Sequence, residues 1–127
     1  MDTTKGRNIG KNLWVFPDGE LPPPGDYPIK GHESLIMLNV NSVPVEVELS
    51  FFFSDREPKK GIKAKIDGER VLCIRLDNPD QLQGFEVPRE EQYSIVVKSS
   101  LPIVAQYGRL DTRNQPMAFY TTPGYWQ

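Results

Sequence analysis

The chain has 127 residues and a formal net charge of −2, with 25% charged and 38% hydrophobic residues. That balance gives no bulk electrostatic case for nucleic acid or an acidic membrane as partner, and no apolar run approaches the ~18 residues a membrane span requires. One cysteine, Cys73, excludes an internal disulfide, one histidine, His32, excludes a zinc site, and twelve prolines with ten glycines argue against long helices.

Residues 1–11 are polar, lack the apolar region of a secretory signal, and read as a flexible arm. With a lone thiol suited to a reducing compartment, they point to a cytoplasmic protein. Asn12–Phe16 is a short first strand, closed by a Pro17-Asp18-Gly19 turn. Leu21-Pro22-Pro23-Pro24-Gly25 is stiff and cannot enter a sheet interior, which fits an ordered rim segment. Glu33–Val40 is densely apolar, with Leu35, Ile36, Met37 and Leu38 consecutive, so both faces are expected to be covered.

After a tight turn at Asn39–Ser42, the longest predicted strand places Val43, Val45, Val47, Leu49, Phe51 and Phe53 on one face. Pro44, Glu46, Glu48, Ser50 and Phe52 take the other. Ile62, Ala64 and Ile66 then alternate with Lys63 and Lys65 in a half-exposed strand. Asp67-Gly68 is the strongest hairpin signal, leading into Arg70–Leu76 with Leu72, Ile74 and Leu76 inward and Cys73 outward. Asp77–Arg89 is loop-like, with at most one helical turn near Asp80–Leu82. Tyr93–Lys98 and Ile103–Leu110 are two further strands joined by Ser99–Pro102. In the second, Arg109 falls on the face of Ile103, Ala105 and Tyr107, and a bulge at Gly108 is expected to reset the phase. Met117–Thr121 forms a last strand before a tail over 122–127. About eight short strands at roughly ten-residue spacing describe an all-β chain, a jelly-roll-like antiparallel β-sandwich in one domain over 1–127.

Two charged clusters end apolar strands: Ser54-Asp55-Arg56-Glu57-Pro58 and Arg109-Leu110-Asp111-Thr112-Arg113. Asp55 and Glu57 would lie roughly 7 Å apart on one face of an extended chain, within the range of inverting glycosidases. Arg56 between them lowers both carboxyl pKa values, the reverse of what a general acid needs, so no catalytic residue is assigned. Two readings stay open. Asp55, Arg56 and Glu57 pair with Arg109, Asp111 and Arg113 as a clasp between loops, or these groups, with His32, Ser54 and Gln106, form a rim that recognises a polar ligand such as a sugar. A basic strip within residues 56–65 (Arg56, Lys59, Lys60, Lys63, Lys65) offers a nucleic-acid surface as the alternative, set against a solvated edge strand. No metal or cofactor signature occurs.

Taken together, Trp14, Asp18–Pro22, His32-Glu33, Ser54–Pro58 and Pro102–Arg113 resemble the sensory rhodopsin transducer family, in matching order over residues 12–120. The resemblance implies a small, non-enzymatic cytoplasmic β-sandwich that assembles into a homotetramer and has a fold similar to carbohydrate-binding domains. Founding members interact with a membrane-embedded microbial rhodopsin on its cytoplasmic side and have been proposed to bind DNA promoters. An aromatic tail, Tyr125 and Trp126, departs from the family pattern.

Overall fold

A computed structural model describes residues 9–113, 118–122 and 124–127. Its strands are β1 (Lys11–Glu20), β2 (His32–Asn39), β3 (Val45–Phe53), β4 (Lys59–Ile66), β5 (Arg70–Arg75), β6 (Gln92–Asp111), β7 (Ala118–Thr122) and β8 (Tyr125–Trp126). They pair antiparallel in a single hydrogen-bonded sheet that folds over itself into a sandwich. One layer runs β4-β3-β6-β1-β8, and the other joins β5, β2, β6 and β7, so β6 belongs to both. The expected all-β antiparallel sandwich is the architecture observed.

Alternation builds the layers. Val45, Val47, Leu49 and Phe51 of β3 are buried, as are Leu35 and Met37 of β2 and Ile103, Ala105 and Tyr107 of β6. Each buried valine, leucine, isoleucine, methionine or phenylalanine among them contributes roughly 1.5–3 kcal/mol relative to exposure. Across the layers, Phe16 and Tyr107 approach with ring centroids 6.3 Å apart. Outer positions stay open, so the second face of β2 is not covered as expected. Leu38 there is 40% exposed, in register with Val71 and Val104 on either side.

Several boundaries differ from the sequence-based expectation, each for a physical reason. The predicted strands at Tyr93–Lys98 and Ile103–Leu110 are one 20-residue strand, β6, and it rather than the Val43–Phe53 segment is the longest. Pro102 is tolerated inside it because it lies past the last pairing with β3 (Val47 with Ser99), within the register shift of the β1 ladder between Lys98 and Ile103, and before the first pairing with β2 (Leu38 with Val104). No ladder needs its missing N–H there. Pro17 and Asp18 do not end β1. A register shift between Phe16 and Gly19 absorbs them, and the strand continues to Glu20. Asp67-Gly68 does not close a hairpin, since β4 pairs with β3 and β5 with β2. Glycine is needed there because a Cβ on Gly68 would sit 2.4 Å from the Ser42 carbonyl oxygen. Gly108 makes no bulge, as the β2–β6 register is unbroken through it. Val43 is exposed and precedes β3. In the tail, Tyr125 and Trp126 pair with Val15 and Trp14 of β1. Of the expected arm, residues 1–8 lie outside the described residues and Lys11 opens β1. Met117 of the predicted last strand also lies outside them.

The 77–91 loop seals two sheet edges. Its 3-10 turn at Pro79–Gln81 is the single helical turn expected. Gln81 accepts from the Arg75 N–H at 2.9 Å and donates to the Cys73 carbonyl at 3.1 Å, on the edge of β5. Gln83 accepts from the Lys63 N–H at 2.9 Å on the edge of β4. Buried Asn39 binds the opposite turns, its Nδ2 donating to the carbonyls of Val43, Ile66 and Asp67 at 2.9, 3.1 and 3.1 Å.

Candidate functional site

Strand directions bring most of the charged candidates to one end of the sandwich. There β3 and β5 finish, β2 starts, and both ends of β6 meet, because Phe53 pairs with Tyr93 while Glu33 pairs with Arg109. The two clusters singled out in the sequence do not pair with each other. Arg56 donates from Nε to Asp55 at 3.1 Å and from its terminal nitrogen to Glu91 at 2.5 Å. Its guanidinium also lies 5.0 Å from the Phe53 ring centroid. Arg113 bonds Asp111 through side chain and backbone N–H, the closest contact being 2.5 Å. The clasp is therefore two local ion pairs, with Glu91 an unforeseen partner. Asp111 is held down to about 2, first by its hydrogen bonds from Arg113. Asp55 is lowered by its Arg56 hydrogen bond, so its carboxylate stays ionised and is not poised as a general acid.

Ser54 and Glu57 are exposed beside the first pair. His32 stands at the start of β2, with Nδ1 2.7 Å from the Lys30 carbonyl oxygen. Gln106 is apart from the rest, on the outer face of β6 opposite Ile36. No set of three metal-ligating side chains is grouped for a metal among the described residues.

Three groups at this end escaped the sequence reading. Asp77 takes a two-pronged bond from Arg75, at 2.9 and 2.7 Å, and a 3.4 Å contact from Arg89. Burial raises its pKa, but the Arg75 hydrogen bonds and charge outweigh that and leave it lowered. Arg89 also donates to the carbonyls of Pro22 and Gly31 at 2.5 and 3.0 Å, fastening the proline-rich rim. Beside them opens a cavity of ≈ 550 Å³ walled by Leu21, Val87, Pro79 and Pro88 with Asp77, Glu86 and Arg89, a size typical of small-ligand sites.

Glu33 is the third. It is fully buried, accepting from the Tyr93 O–H of the opposite layer and from the Glu20 N–H at 3.0 Å. Burial raises its pKa, only partly offset by those hydrogen bonds and by Arg109. Burial, then the Glu33 charge, pushes the Tyr93 pKa well up. A signal was available: Glu33 shares parity with Leu35 and Met37, as Arg109 does with Ala105 and Tyr107. Both charges belong on the buried face, and no bulge is needed to excuse Arg109.

The basic strip is a mixed-charge face. Glu46 and Glu48 stand opposite Lys65 and Lys63, Glu48 is also opposite Lys98, and Lys63 approaches Glu48 at 3.6 Å. Such alternation cancels the continuous positive field that phosphate binding uses.

A model of the Anabaena sensory rhodopsin transducer family matches residues 9–126. Among solved structures, the crystal structure of Thermotoga maritima 1070 is 31% identical, with a TM-score of 0.83 over 93% of this chain and 96% of that one. The Anabaena sensory rhodopsin transducer is 29% identical, with a TM-score of 0.71 over 84% of this chain and 93% of that one. No curated protein matches the chain. No helix among the described residues is long and apolar enough to cross a membrane.

Proposed function

From the premise that the chain belongs to the Anabaena sensory rhodopsin transducer family, we propose that it is a non-enzymatic cytoplasmic signalling module. Its charged end, with Arg56, Arg109, Asp111 and Arg113, docks on the cytoplasmic side of a membrane-embedded, rhodopsin-type receptor. The observation that carries this is the family match, and the fixed ion pairs at one end of a rigid sandwich support it. Arginine and carboxylate groups held by such pairs read a partner through charge-assisted hydrogen bonds. The module works as a homo-oligomer, a tetramer in this reading. Support comes from the apolar row of Val71, Leu38 and Val104 on the outer face of the second layer.

The test is titration of the protein against a retinal-loaded microbial rhodopsin in nanodiscs, reading both binding and photocycle rate. Binding that weakens with salt and drops in Arg56→Ala and Arg113→Ala is the expected result. No binding, or equal binding by the variants, defeats the docking reading. Light scattering of wild type and Leu38→Lys tests the oligomer, and a monomeric wild type defeats that part.

The cavity beside Asp77 and Arg89 favours a second reading, a small polar ligand such as a sugar. Calorimetric titration of a sugar panel decides it, with Arg89→Ala and Arg109→Ala as controls. Heat that persists unchanged in both controls, or no heat in wild type, removes it.

A further inference from the structure

Arginines at the charged end divide into two kinds. Arg56, Arg75, Arg89 and Arg113 each contact a carboxylate within ion-pair distance. Arg109 forms no such pair among the described residues, and its Nε is buried without a hydrogen-bond partner. What stands across the ladder from it is Glu33, fully buried. A guanidinium in that position keeps part of its hydration loss uncompensated; Tyr120 of β7 offsets most of it, and Glu33 is the buried counter-charge that adds to this through space.

Glu33 in turn is where the layers join. Its side chain, on β2, accepts from Tyr93 on the first-layer half of β6 and from the Glu20 N–H on β1. Its main-chain carbonyl accepts from the Leu76 N–H at 2.9 Å. The other charged or titratable groups bearing on this pair are Asp18 and Glu20 from β1 and Tyr120 from β7.

We infer that Glu33 is a proton-responsive link whose charge sets the position of Arg109. As a carboxylate it holds Arg109 against the buried face. Once protonated it no longer offsets the guanidinium, which moves outward to the rim occupied by Asp111 and Arg113. The proton comes from solvent and settles on Oε1, because Oε2 faces the donor Glu20 N–H. Tyr93 then accepts from the new acid O–H instead of donating to it. Burial raises the Glu33 pKa, so this step lies above the usual 4.5. Asp111, lowered to about 2, keeps its charge through the same window and remains to receive Arg109. This adds regulation to the docking end proposed above, but the link itself is read without any partner.

The experiment is an NMR titration of the Glu33 side-chain carboxyl and the Arg109 Nε–H in the free protein. Glu33 should titrate with a midpoint above 4.5, and the Arg109 resonance and its exchange rate should follow that midpoint. In Glu33→Gln, Arg109 should show the acid-form signal at every pH. Tyr93→Phe, which removes one donor to the carboxylate, should move the midpoint further up, and it serves if the glutamine variant does not fold. A Glu33 midpoint at or below 4.5 overturns the link. So does an Arg109 signal that ignores the Glu33 titration or still shows it in Glu33→Gln. Loss of rhodopsin binding with the titration intact would sink the docking reading alone.

Discussion

Asn39 shows how one buried polar side chain can do what no run of residues announces. Its amide fastens the turn after β2 to the connection leaving β4 through three carbonyls, while its Oδ1 accepts from the Asn41 N–H at 2.9 Å. Asn39→Ala strips those carbonyls of their donor inside the protein, and we expect a loss of roughly 2–3 kcal/mol in denaturant unfolding. Asn39→Asp keeps the acceptor but turns a carboxylate toward three carbonyl oxygens, so it should be the worse of the two. Gly19 is a second such position. A Cβ there would lie 2.4 Å from the Tyr93 ring, so Gly19→Ala should displace Tyr93 and weaken its bond to Glu33. A shift in tyrosine absorbance or near-UV circular dichroism checks it. At this scale the sequence was least legible. Asn39 reads as an ordinary turn residue, and Glu33 as the opening residue of a strand, although its parity with Leu35 places it inside. Which partner a charge finds depends on chain segments far away. Arg56 meets Glu91, 35 positions on, and nothing local to Arg56 says so.

The strands themselves were readable wherever one face is buried and the other wet. β3 and β5 alternate as their residues require, and of the predicted inward set Leu72, Ile74 and Leu76 the last two are buried and Leu72 is half-buried. Reading failed where proline or glycine punctuates the chain. Pro17, Pro102 and Asp67-Gly68 all signal an ending locally, yet the first two sit inside strands at a register shift and at a layer crossing. The third joins strands that do not pair. Turn chemistry states what the backbone does over two residues, and the ladder a strand then joins is settled by packing. A test at this scale concerns the two glutamines. In a Gln81→Ala/Gln83→Ala variant, amide exchange at Arg75 and Lys63 should quicken while Val97 at the centre of β6 stays protected. Unchanged exchange at both edge amides would mean that water already serves them equally well.

For the whole molecule, two opposed titrations shape stability. A carboxyl with a lowered folded pKa gives stability that is present above its unfolded value and lost as pH falls through the folded one. Asp111 does this between the usual 3.8 and about 2. Glu33 works the other way. Its folded pKa is raised, so its contribution is complete below 4.5 and is lost as pH rises through the raised value. Wild-type melting temperature should therefore decline as pH rises above 4.5 through the raised value. Glu33→Gln should flatten that decline, and Asp111→Asn should soften the drop at the acid extreme. A wild-type profile without the upper slope would mean that Glu33 is solvated as readily as an ordinary glutamate. Because β6 runs through both layers, these changes act on one cooperative unit, and the two layers should melt together.

The glutamines on the free edges of β4 and β5 also limit how copies of this protein can grow together. Edge-to-edge addition repeats without end, since each new strand offers another open edge, and that is the route to fibrils. With those two edges occupied by side-chain amides, the outer face bearing Val71, Leu38 and Val104 is the freer surface. A face used symmetrically is consumed by the first contact it makes. At those two edges, growth by strand addition is thereby disfavoured.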